Sequence, residues 1–395
     1  MKRIKVFLLQ EIIPSYRVPV FNRLARLENV ELTVFYSRSS KAMLQENLKS
    51  AKVIEGFQHS EIGLWELGAN SYQFGMLWRV LIGRPDVVIS GNADCLDRLA
   101  LLVLCKLLGI RVLWFQGGVP FTDEKKISDY ANRGRLNRWL GKYNPKRWLM
   151  LKADGLIAYS EHAKNYSKML GFPDNKLWVA PNSMDTEALE SYRQDWLLRD
   201  DELQSERRRF SPQGQKILFL LGRLNKERKV DVLLQALVQL QAKGYALSLV
   251  IVGDGGERQC LEAMVGQLGL QNVYFEGAIY DEKDLSKYFM TSDIFVAPGA
   301  CSLAIKMAMF FGRPVITADF GLEVHDVREG VNGFVFPLDD LQYLVDKLEL
   351  LVQSDTLIKH LGAGGIATIR DRININTMVE GFRRAIFAEP EAPSH

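Results

Sequence analysis

The stretch "SDIFVAPGACSLAIKMAMFFGRPVIT", residues 292–317, contains two apolar runs with a helical pattern between them. The first run, 294–297, stops at a Pro-Gly pair, and the helical pattern ends at Gly-Arg-Pro, just before the second run. This order predicts a strand, a turn, a helix and a second strand. Such a turn places the N-terminus of a helix where an anion can bind. Because no carboxylate lies between Asp293 and Asp319, we expect the turn to bind through backbone N–H groups.

The same alternation continues through the whole chain. The apolar runs are 4–9, 30–36, 86–90, 111–115 and 155–160, followed by 216–222, 247–253, 273–277, 294–298, 313–317 and 333–337. Continuous apolar runs separated by amphipathic stretches predict βαβ units in doubly wound parallel sheets. The predicted fold class is therefore α/β, with two doubly wound Rossmann-like domains facing each other across a cleft. Ligands in such sheets bind beyond the carboxyl ends of the strands.

The domain boundaries follow from the interruption of this alternation. A chain of 395 residues suggests two or three domains. We predict a first domain over 1–190 and a charged interdomain connection over 191–215. A second domain is expected over 216–372, and a C-terminal helix within 373–395 that crosses back to the first domain.

The composition indicates a globular protein, with 47% hydrophobic and 25% charged residues. The four cysteines show no metal-binding spacing, so we interpret them as reduced thiols and expect neither a metal nor another cofactor. The first apolar run is shorter than a signal peptide requires, and the longest apolar segment, 99–110, is too short to span a bilayer. These features predict a cytoplasmic chain.

A basic loop follows the first strand of the second domain, in "LLGRLNKERKVDVLL" (220–234). It carries four cations, Arg223, Lys226, Arg228 and Lys229, and one acid. Cations at the carboxyl end of a strand, beside a helix N-terminus, suit a diphosphate. The alternative is a solvated basic loop.

Two further turns follow neighbouring strands of the same domain. In "IVGDGGERQCLEAM" (251–264), Gly253, Gly255 and Gly256 allow close approach of the backbone to a ligand. In "FEGAIYDEKDLSKYF" (275–289), the loop after the strand could present Ala278 and Ile279 to a planar base.

These turns and "REGVNGFVFP", in this order, resemble the C-terminal half of glycosyltransferase family 4, which has the GT-B fold. The segment 153–189 resembles the part that closes the first domain in that family, while the first 150 residues match in architecture and in "YRVPVFNRLAR" (16–26). The resemblance implies an enzyme that transfers a sugar from a nucleotide-sugar held by the second domain. It also implies retention of anomeric configuration, with the leaving phosphate accepting the proton.

The resemblance assigns roles by position. Arg223 matches the arginine that meets the diphosphate, Arg228 stands where the family usually has a lysine, and 278–280 matches the base-binding segment. The expected catalytic residues are Arg223, Arg228 and Glu323. The expected donor site comprises Gly222, Arg223, Lys226, Arg228, Gly253, Ala278, Ile279, Gly299, Cys301, Ser302 and Leu303.

The chain departs from the family at the 292–317 turn. The family has two glutamates there, separated by seven residues, and the matching positions are Gly299 and Met307. The chain is similar to a subset with a Pro-Gly-x-x-Gly-Leu turn, in which Ser302 replaces the second glycine. Glu323 is the nearest candidate to replace the lost sugar contact, and His325 aligns where the family often has another glutamate. A solvated loop, or a member without catalytic activity, are the alternatives.

The acceptor is expected in the first domain. Tyr16 and Arg17 follow the first strand, Asp94 follows the strand at 86–90, and Gln116 and Gly117 follow the strand at 111–115. An arginine on the protein surface at the start of a helix is the alternative for Arg17. No residue stands out as a general base.

One segment suggests a surface for a partner. "RGRLNRWLGKYNPKRWLMLK" (133–152) has seven basic residues, three aromatic residues and no acids. This composition suits an anionic membrane or a nucleic acid, and the alternative is a partly buried helix with solvated charges. Because the family often works on lipid-linked sugars, we expect the inner face of the cytoplasmic membrane and no nucleic acid.

Three other classes of function fit two α/β domains. A nucleotide-sugar epimerase or a sugar phosphorylase would share the fold, and a catalytically inactive nucleotide-sugar-binding scaffold would share the site. A periplasmic-type binding protein would need an export signal. The sequence favours the glycosyltransferase.

Overall fold

The structure is a computed structural model that describes residues 3–37, 54–63, 65–67, 70–91, 96–116, 151–301, 303–321 and 323–390. The chain divides into two compact units. The first contains the described residues up to 116, those from 151 to Asp185 and those from Ile375 onward, and the second contains Thr186–Asn374.

The strands, in chain order, are β1 Ile4–Leu9, β2 Val30–Tyr36, β3 Gln58–Glu61, β4 Trp65–Leu67, β5 Asn70–Tyr72, β6 Val87–Gly91, β7 Arg111–Gln116, β8 Gly155–Ala158, β9 Leu177–Val179, β10 Lys216–Leu221, β11 Leu247–Val252, β12 Val273–Gly277, β13 Ile294–Ala297, β14 Val315–Ala318 and β15 Gly333–Phe336. The α-helices are α1 Val18–Ala25, α2 Gly75–Gly83, α3 Leu96–Leu107, α4 Glu161–Met169, α5 Thr186–Leu197, α6 Asp200–Phe210, α7 Val230–Ala242, α8 Arg258–Gln267, α9 Glu282–Thr291, α10 Leu303–Phe310, α11 Leu341–Val352, α12 Asp355–Arg372 and α13 Ile375–Phe387. None of the helices that the structure describes is long and apolar enough to cross a membrane.

The first unit is built on a parallel sheet of seven strands in the order β3-β2-β1-β6-β7-β8-β9. Strands β4 and β5 form a separate antiparallel pair. The central strands are continuous apolar runs because helices cover both faces of a parallel sheet. The predicted strands at 4–9, 30–36 and 111–115 lie within β1, β2 and β7.

The second unit is built on a parallel sheet of six strands in the order β12-β11-β10-β13-β14-β15. All six residues of β11 are buried, as expected for a strand covered on both faces. Numbered within the unit, this order is 3-2-1-4-5-6, in which the direction of winding changes between β10 and β13. The loops after these two strands therefore flank the point where ligands bind in doubly wound sheets.

The charged stretch 191–215 is largely helical and belongs to the second unit, as parts of α5 and α6. Phe210 is buried and its ring lies 5.1 Å from that of Tyr274, whereas Leu197 and Leu198 are exposed. The indole nitrogen of Trp196 donates to the carbonyl oxygen of Lys283 at 2.8 Å. The stretch is crowded with charged residues, and Asp200, Asp201 and Arg208 are exposed, which explains why the sequence resembles a connection.

The C-terminal helix α13 belongs to the first unit. The guanidinium of Arg111 donates to the carbonyl oxygens of Ile386 and Ala385, at 2.8 and 3.0 Å. Phe382 is buried and its ring lies 4.7 Å from that of Phe115. Residues distant in sequence thus complete the core around the first sheet.

Candidate functional site

Two loops meet at the switch point of the second sheet. One follows β10 and contains the short 3-10 helix Lys226–Arg228, and the other follows β13 and begins at Pro298. The backbone N–H of Ala300 donates to the carbonyl oxygen of Glu227 at 2.8 Å, so the loops are hydrogen-bonded to each other. The predicted basic loop and the predicted anion-binding turn therefore form one continuous surface.

Gly299 lies against the backbone of the basic loop. A Cβ atom at this position would be 2.1 Å from the carbonyl oxygen of Glu227 and 2.8 Å from the carbonyl carbon of Arg228. This is far inside van der Waals contact, so a side chain does not fit while the loops remain joined. A glutamate side chain, which the resemblance predicts at this position in other members of the family, is thus incompatible with this packing.

Arg228 connects the two loops through its side chain. Its guanidinium lies over Gly222, where a Cβ atom would be 2.7 Å from the arginine Cζ atom. Nη1 of Arg228 donates to the carbonyl oxygen of Ala300, three residues before α10 begins at Leu303. A fixed positive charge therefore lies near the N-terminus of that helix, where anions are stabilised.

The other cations of the basic loop are Arg223, Lys226 and Lys229. Arg223 and Lys226 are exposed. Lys229 has a left-handed backbone with φ 53°, and its ammonium lies 3.0 Å from a carboxylate oxygen of Asp339. The basic loop is thus positively charged at its surface, as the sequence predicts.

Glycines allow the loops after β10 and β11 to pack closely. A Cβ atom on Gly253 would be 1.8 Å from the carbonyl oxygen of Gly222, and one on Gly255 would be 2.2 Å from that of Leu224. The backbone N–H of Gly253 donates to the carbonyl oxygen of Gly277 at 2.7 Å, which holds the loop after β12 beside the basic loop.

The predicted base-binding residues follow directly on this loop. Ala278 is exposed and Ile279 is half-buried. Tyr280, the last residue of the predicted segment 278–280, is 61% exposed and presents an aromatic ring beside them.

The helix α10 begins beside this surface, with Cys301 buried and Leu303 half-buried. Met307, which aligns with the family's second glutamate, is buried in the core of the unit. Glu323 is 9% exposed and opens the 3-10 helix Glu323–Asp326. A Cβ atom on Gly321 would be 3.5 Å from the carbonyl oxygen of Cys301, so the segment leading to Glu323 lies beside the start of α10.

In the first unit, Arg17 is 2% exposed, which excludes the alternative of an arginine on the protein surface. Its guanidinium donates to the side-chain oxygen of Asn182 at 2.8 Å and contacts the sulfur of Met378 at 3.1 Å. It also lies within 5.5 Å of the ring centres of Tyr16, Phe115 and Tyr159. In this structure Arg17 anchors α13, and contact with an acceptor stays a prediction for Tyr16 and Arg17.

A buried polar network lies at the carboxyl edge of the first sheet. Asp97 accepts from the backbone N–H of Gln73 at 2.7 Å and from Arg98 at 3.1 Å. The side-chain amide of Gln73 donates to the carbonyl oxygen of Gln10 at 3.0 Å, directly after β1. The network fixes the start of α3 beside the end of β1. Its members are scattered in sequence, so no local pattern predicts it.

Asp94, Gly117 and Ser302 lie outside the described residues, as does the side chain of Gln116. The same is true of all but the last two residues of 133–152. The roles predicted for them remain predictions.

The geometry defines the class: an α/β protein with two doubly wound sheets and a basic, glycine-lined loop pair at the switch point of the second. Family models match both halves, "Glycosyltransferase Family 4" over residues 20–188 and "Glycosyl transferases group 1" over residues 201–367. The chain belongs to glycosyltransferase family 4 and has the GT-B fold. The predicted family and fold are thus confirmed, and the family match in the first half begins at residue 20.

Two curated relatives come from mycobacteria. The chain is 32% identical over 162 residues to a phosphatidyl-myo-inositol mannosyltransferase of Mycobacterium leprae, covering 40% of this chain and 42% of the relative. It is 33% identical over 141 residues to a GDP-mannose-dependent alpha-mannosyltransferase of Mycobacterium tuberculosis, covering 35% and 34%. The matched stretch is therefore less than half the length of these relatives.

Solved structures resemble the whole chain. Anabaena HepE in complex with UDP has a TM-score of 0.69 at 16% identity, covering 98% of this chain and 100% of that one. A glycosyltransferase from Rickettsia africae has a TM-score of 0.71 at 14% identity, covering 98% and 99%. At these identities the likeness shows the fold.

Proposed function

We propose that the chain is a glycosyltransferase that moves a sugar from a nucleoside-diphosphate donor to a hydroxyl group of a lipid-linked or growing glycan, with retention of anomeric configuration. The observation that carries the proposal is the junction of the two loops at the switch point, where Arg228 covers Gly222 and donates to Ala300. That junction combines a fixed cation, a helix N-terminus and close backbone approach, which together suit a diphosphate.

The proposed chemistry needs charge stabilisation more than a base. Arg223, Arg228 and the N-terminus of α10 would stabilise the departing diphosphate. In a retaining transfer the leaving phosphate accepts the proton of the acceptor hydroxyl, and Glu323 would contact the transferred sugar. The names of the relatives support a hexose donor: two are mannosyltransferases, and HepE was solved with UDP and UDP-glucose.

Binding of the donor is tested by calorimetry with UDP, GDP, UDP-glucose and GDP-mannose. Loss of one charge-assisted contact costs about 1.5–3 kcal/mol, so Arg223→Ala should weaken nucleoside-diphosphate binding by roughly 10- to 100-fold. Arg208→Ala is the matched control, because Arg208 is an exposed arginine on α6 of the same unit. Wild-type affinity in Arg223→Ala, or no nucleotide binding by the wild type, would refute the donor assignment.

A second candidate is a binding scaffold without activity, favoured by Gly299 and buried Met307 at the positions of the family's glutamates. Release of nucleoside diphosphate from the bound donor, measured with glycan acceptors, distinguishes the two. Tight donor binding without turnover supports the scaffold. Conversion of one nucleotide-sugar into another, without transfer, supports an epimerase.

We also propose that the reaction takes place at the inner face of the cytoplasmic membrane, with 133–152 as the contact. The support is the composition of that segment and the lipid named in one relative's description. The transfer assay is run with vesicles of anionic or of neutral lipid, and flotation of the protein with each kind of vesicle is measured alongside it. Equal flotation of the protein with both kinds of vesicle would count against the membrane contact.

A further inference from the structure

A lysine is buried in the helix that begins at the donor turn. Lys306 lies on α10 and is 2% exposed, while its neighbours Ile305 and Met307 are buried apolar residues. Its ammonium lies 3.1 Å from a carboxylate oxygen of Asp326. Lysines are almost never fully buried unless they are paired, because desolvating the charge is costly. An apolar residue at this position would avoid the free-energy cost of desolvating a charge, so the ion pair calls for an explanation.

The partner of Lys306 belongs to the turn that presents Glu323. Asp326 ends the 3-10 helix that Glu323 begins. The carbonyl oxygen of Asp326 accepts from the side-chain amide of Asn332 at 3.0 Å, and Asn332 is itself buried. The turn is therefore held from two sides, by α10 through Lys306 and by the start of β15 through Asn332.

The ion pair also connects this turn to the anion site. Lys306 lies on the first turn of α10, whose N-terminus meets the loop pair described above. Gly321, just before Glu323, lies beside Cys301 at that N-terminus. Fixing Asp326 to α10 thus fixes the backbone that places Glu323 relative to the proposed diphosphate position.

We propose that Lys306 is a positioning residue of the donor site: through Asp326 it holds the Glu323–Asp326 turn on α10, so that Glu323 can contact the transferred sugar. In this chain the ion pair takes over the ordering of the sugar side of the site, since Gly299 and Met307 supply no carboxylate. The inference rests on the proposed function and adds a residue to it.

Two variants test the pair, Lys306→Met and Asp326→Asn. Both should bind UDP or GDP within about twofold of the wild type, because the diphosphate contacts lie on the loop pair. Both should lose the added affinity of UDP-glucose or GDP-mannose over the free nucleotide, and kcat should fall at least tenfold. Lys243→Met is the control: it removes a lysine from an ion pair with Glu349 on the surface of the same unit, and kcat should not change.

The double variant Lys306→Met/Asp326→Asn separates positioning from stability. Each single variant leaves a buried or half-buried group without its partner and should lower Tm by about 5 °C or more. The double variant should recover much of that Tm, because neither charge remains. Its kcat should stay low, because the turn is no longer held by the ion pair. If kcat recovers together with Tm, Lys306 is purely structural and the proposal is wrong.

Two further outcomes are decisive. Folded single variants with wild-type kcat and wild-type sugar discrimination would overturn the proposal. If Lys306→Met does not fold, Asp326→Asn provides the test, because the side chain of Asp326 is partly exposed and its replacement is less disruptive. Failure of the proposed function is distinguishable, because the wild type would then show no nucleotide binding or no sensitivity to Arg223→Ala.

Discussion

The packing of Gly299 against the basic loop predicts a large effect of adding one carbon atom. In Gly299→Ala the new Cβ would lie 2.1 Å from the carbonyl oxygen of Glu227. Ordinary contact needs about 3.5 Å, so the loops must separate by about 1 Å or more. That movement stretches the 2.8 Å hydrogen bond from Ala300 to Glu227 and the contact from Arg228 to Ala300.

The size of the effect follows from what the separation breaks. One neutral and one charge-assisted hydrogen bond contribute about 2–4 kcal/mol together. A displacement of about 1 Å in a positioning group can reduce the rate by about 100-fold. We therefore expect kcat/KM to fall by roughly 10- to 100-fold, or about 1.4–2.7 kcal/mol of barrier. The affinity for UDP or GDP should fall with it.

A matched variant separates this effect from loss of stability. Gly333 lies in β15, where a Cβ would be 2.0 Å from the carbonyl oxygen of Val315, so Gly333→Ala introduces a similar clash away from the loop pair. Both variants should lower Tm, measured by circular dichroism, but only Gly299→Ala should lose donor affinity. Wild-type kcat/KM in folded Gly299→Ala refutes the reasoning, as does an equal loss of UDP or GDP affinity in Gly333→Ala.

Two further predictions concern titration. The hydrogen bond from Arg383, together with Arg384, lowers the pKa of Glu380 from 4.5 to about 2. The ionised carboxylate therefore stabilises the fold fully above pH 4.5 and less as the pH falls toward 2. Because Glu380 is 40% exposed and screened by solvent, Glu380→Gln should lower Tm at pH 7 by only about 1–4 °C. The difference in Tm between variant and wild type should shrink below pH 4.5. A difference in Tm that is the same at all pH values would contradict this prediction. Burial raises the pKa of the Cys105 thiol to about 12, whereas Cys260 is exposed. Site-resolved maleimide labelling at about pH 8 should modify Cys260 and leave Cys105 unmodified until denaturant is added, and equal labelling would contradict the structure.

The strands were predictable because burial on both faces imposes a continuous apolar run. Residues 247–253 and 294–298 show such runs, and the structure has β11 and β13 there. The stretch 191–215 was harder, because its charges mask a sparse apolar pattern. Leu203 and Phe210 lie seven residues apart on α6 and are buried, which is the signal of a helical face that the sequence contained.

The location of the candidate site was also predictable, since residues after parallel strands meet at one edge of a sheet. The contacts within it were not. Nothing local to Gly299 indicates that it packs on Glu227, 72 residues earlier, and Lys306 shows no sign of its partner Asp326 in the helical pattern around it. Arg17 illustrates the same limit, because its burial depends on α13 at the other end of the chain.

The missing glutamate and the arginine at position 228 are two aspects of one arrangement. A side chain at 299 would push the loops apart, so an acid there and the observed junction exclude each other. With the loops joined, the guanidinium of Arg228 covers Gly222 and also reaches Ala300. A planar group with several donors can do both, whereas the lysine usual in the family has a single compact ammonium on a flexible stem. In the proposed donor site a backbone junction held by Arg228 thus stands where a carboxylate side chain would act, and the sugar side falls to Glu323, on a turn whose Asp326 pairs with Lys306.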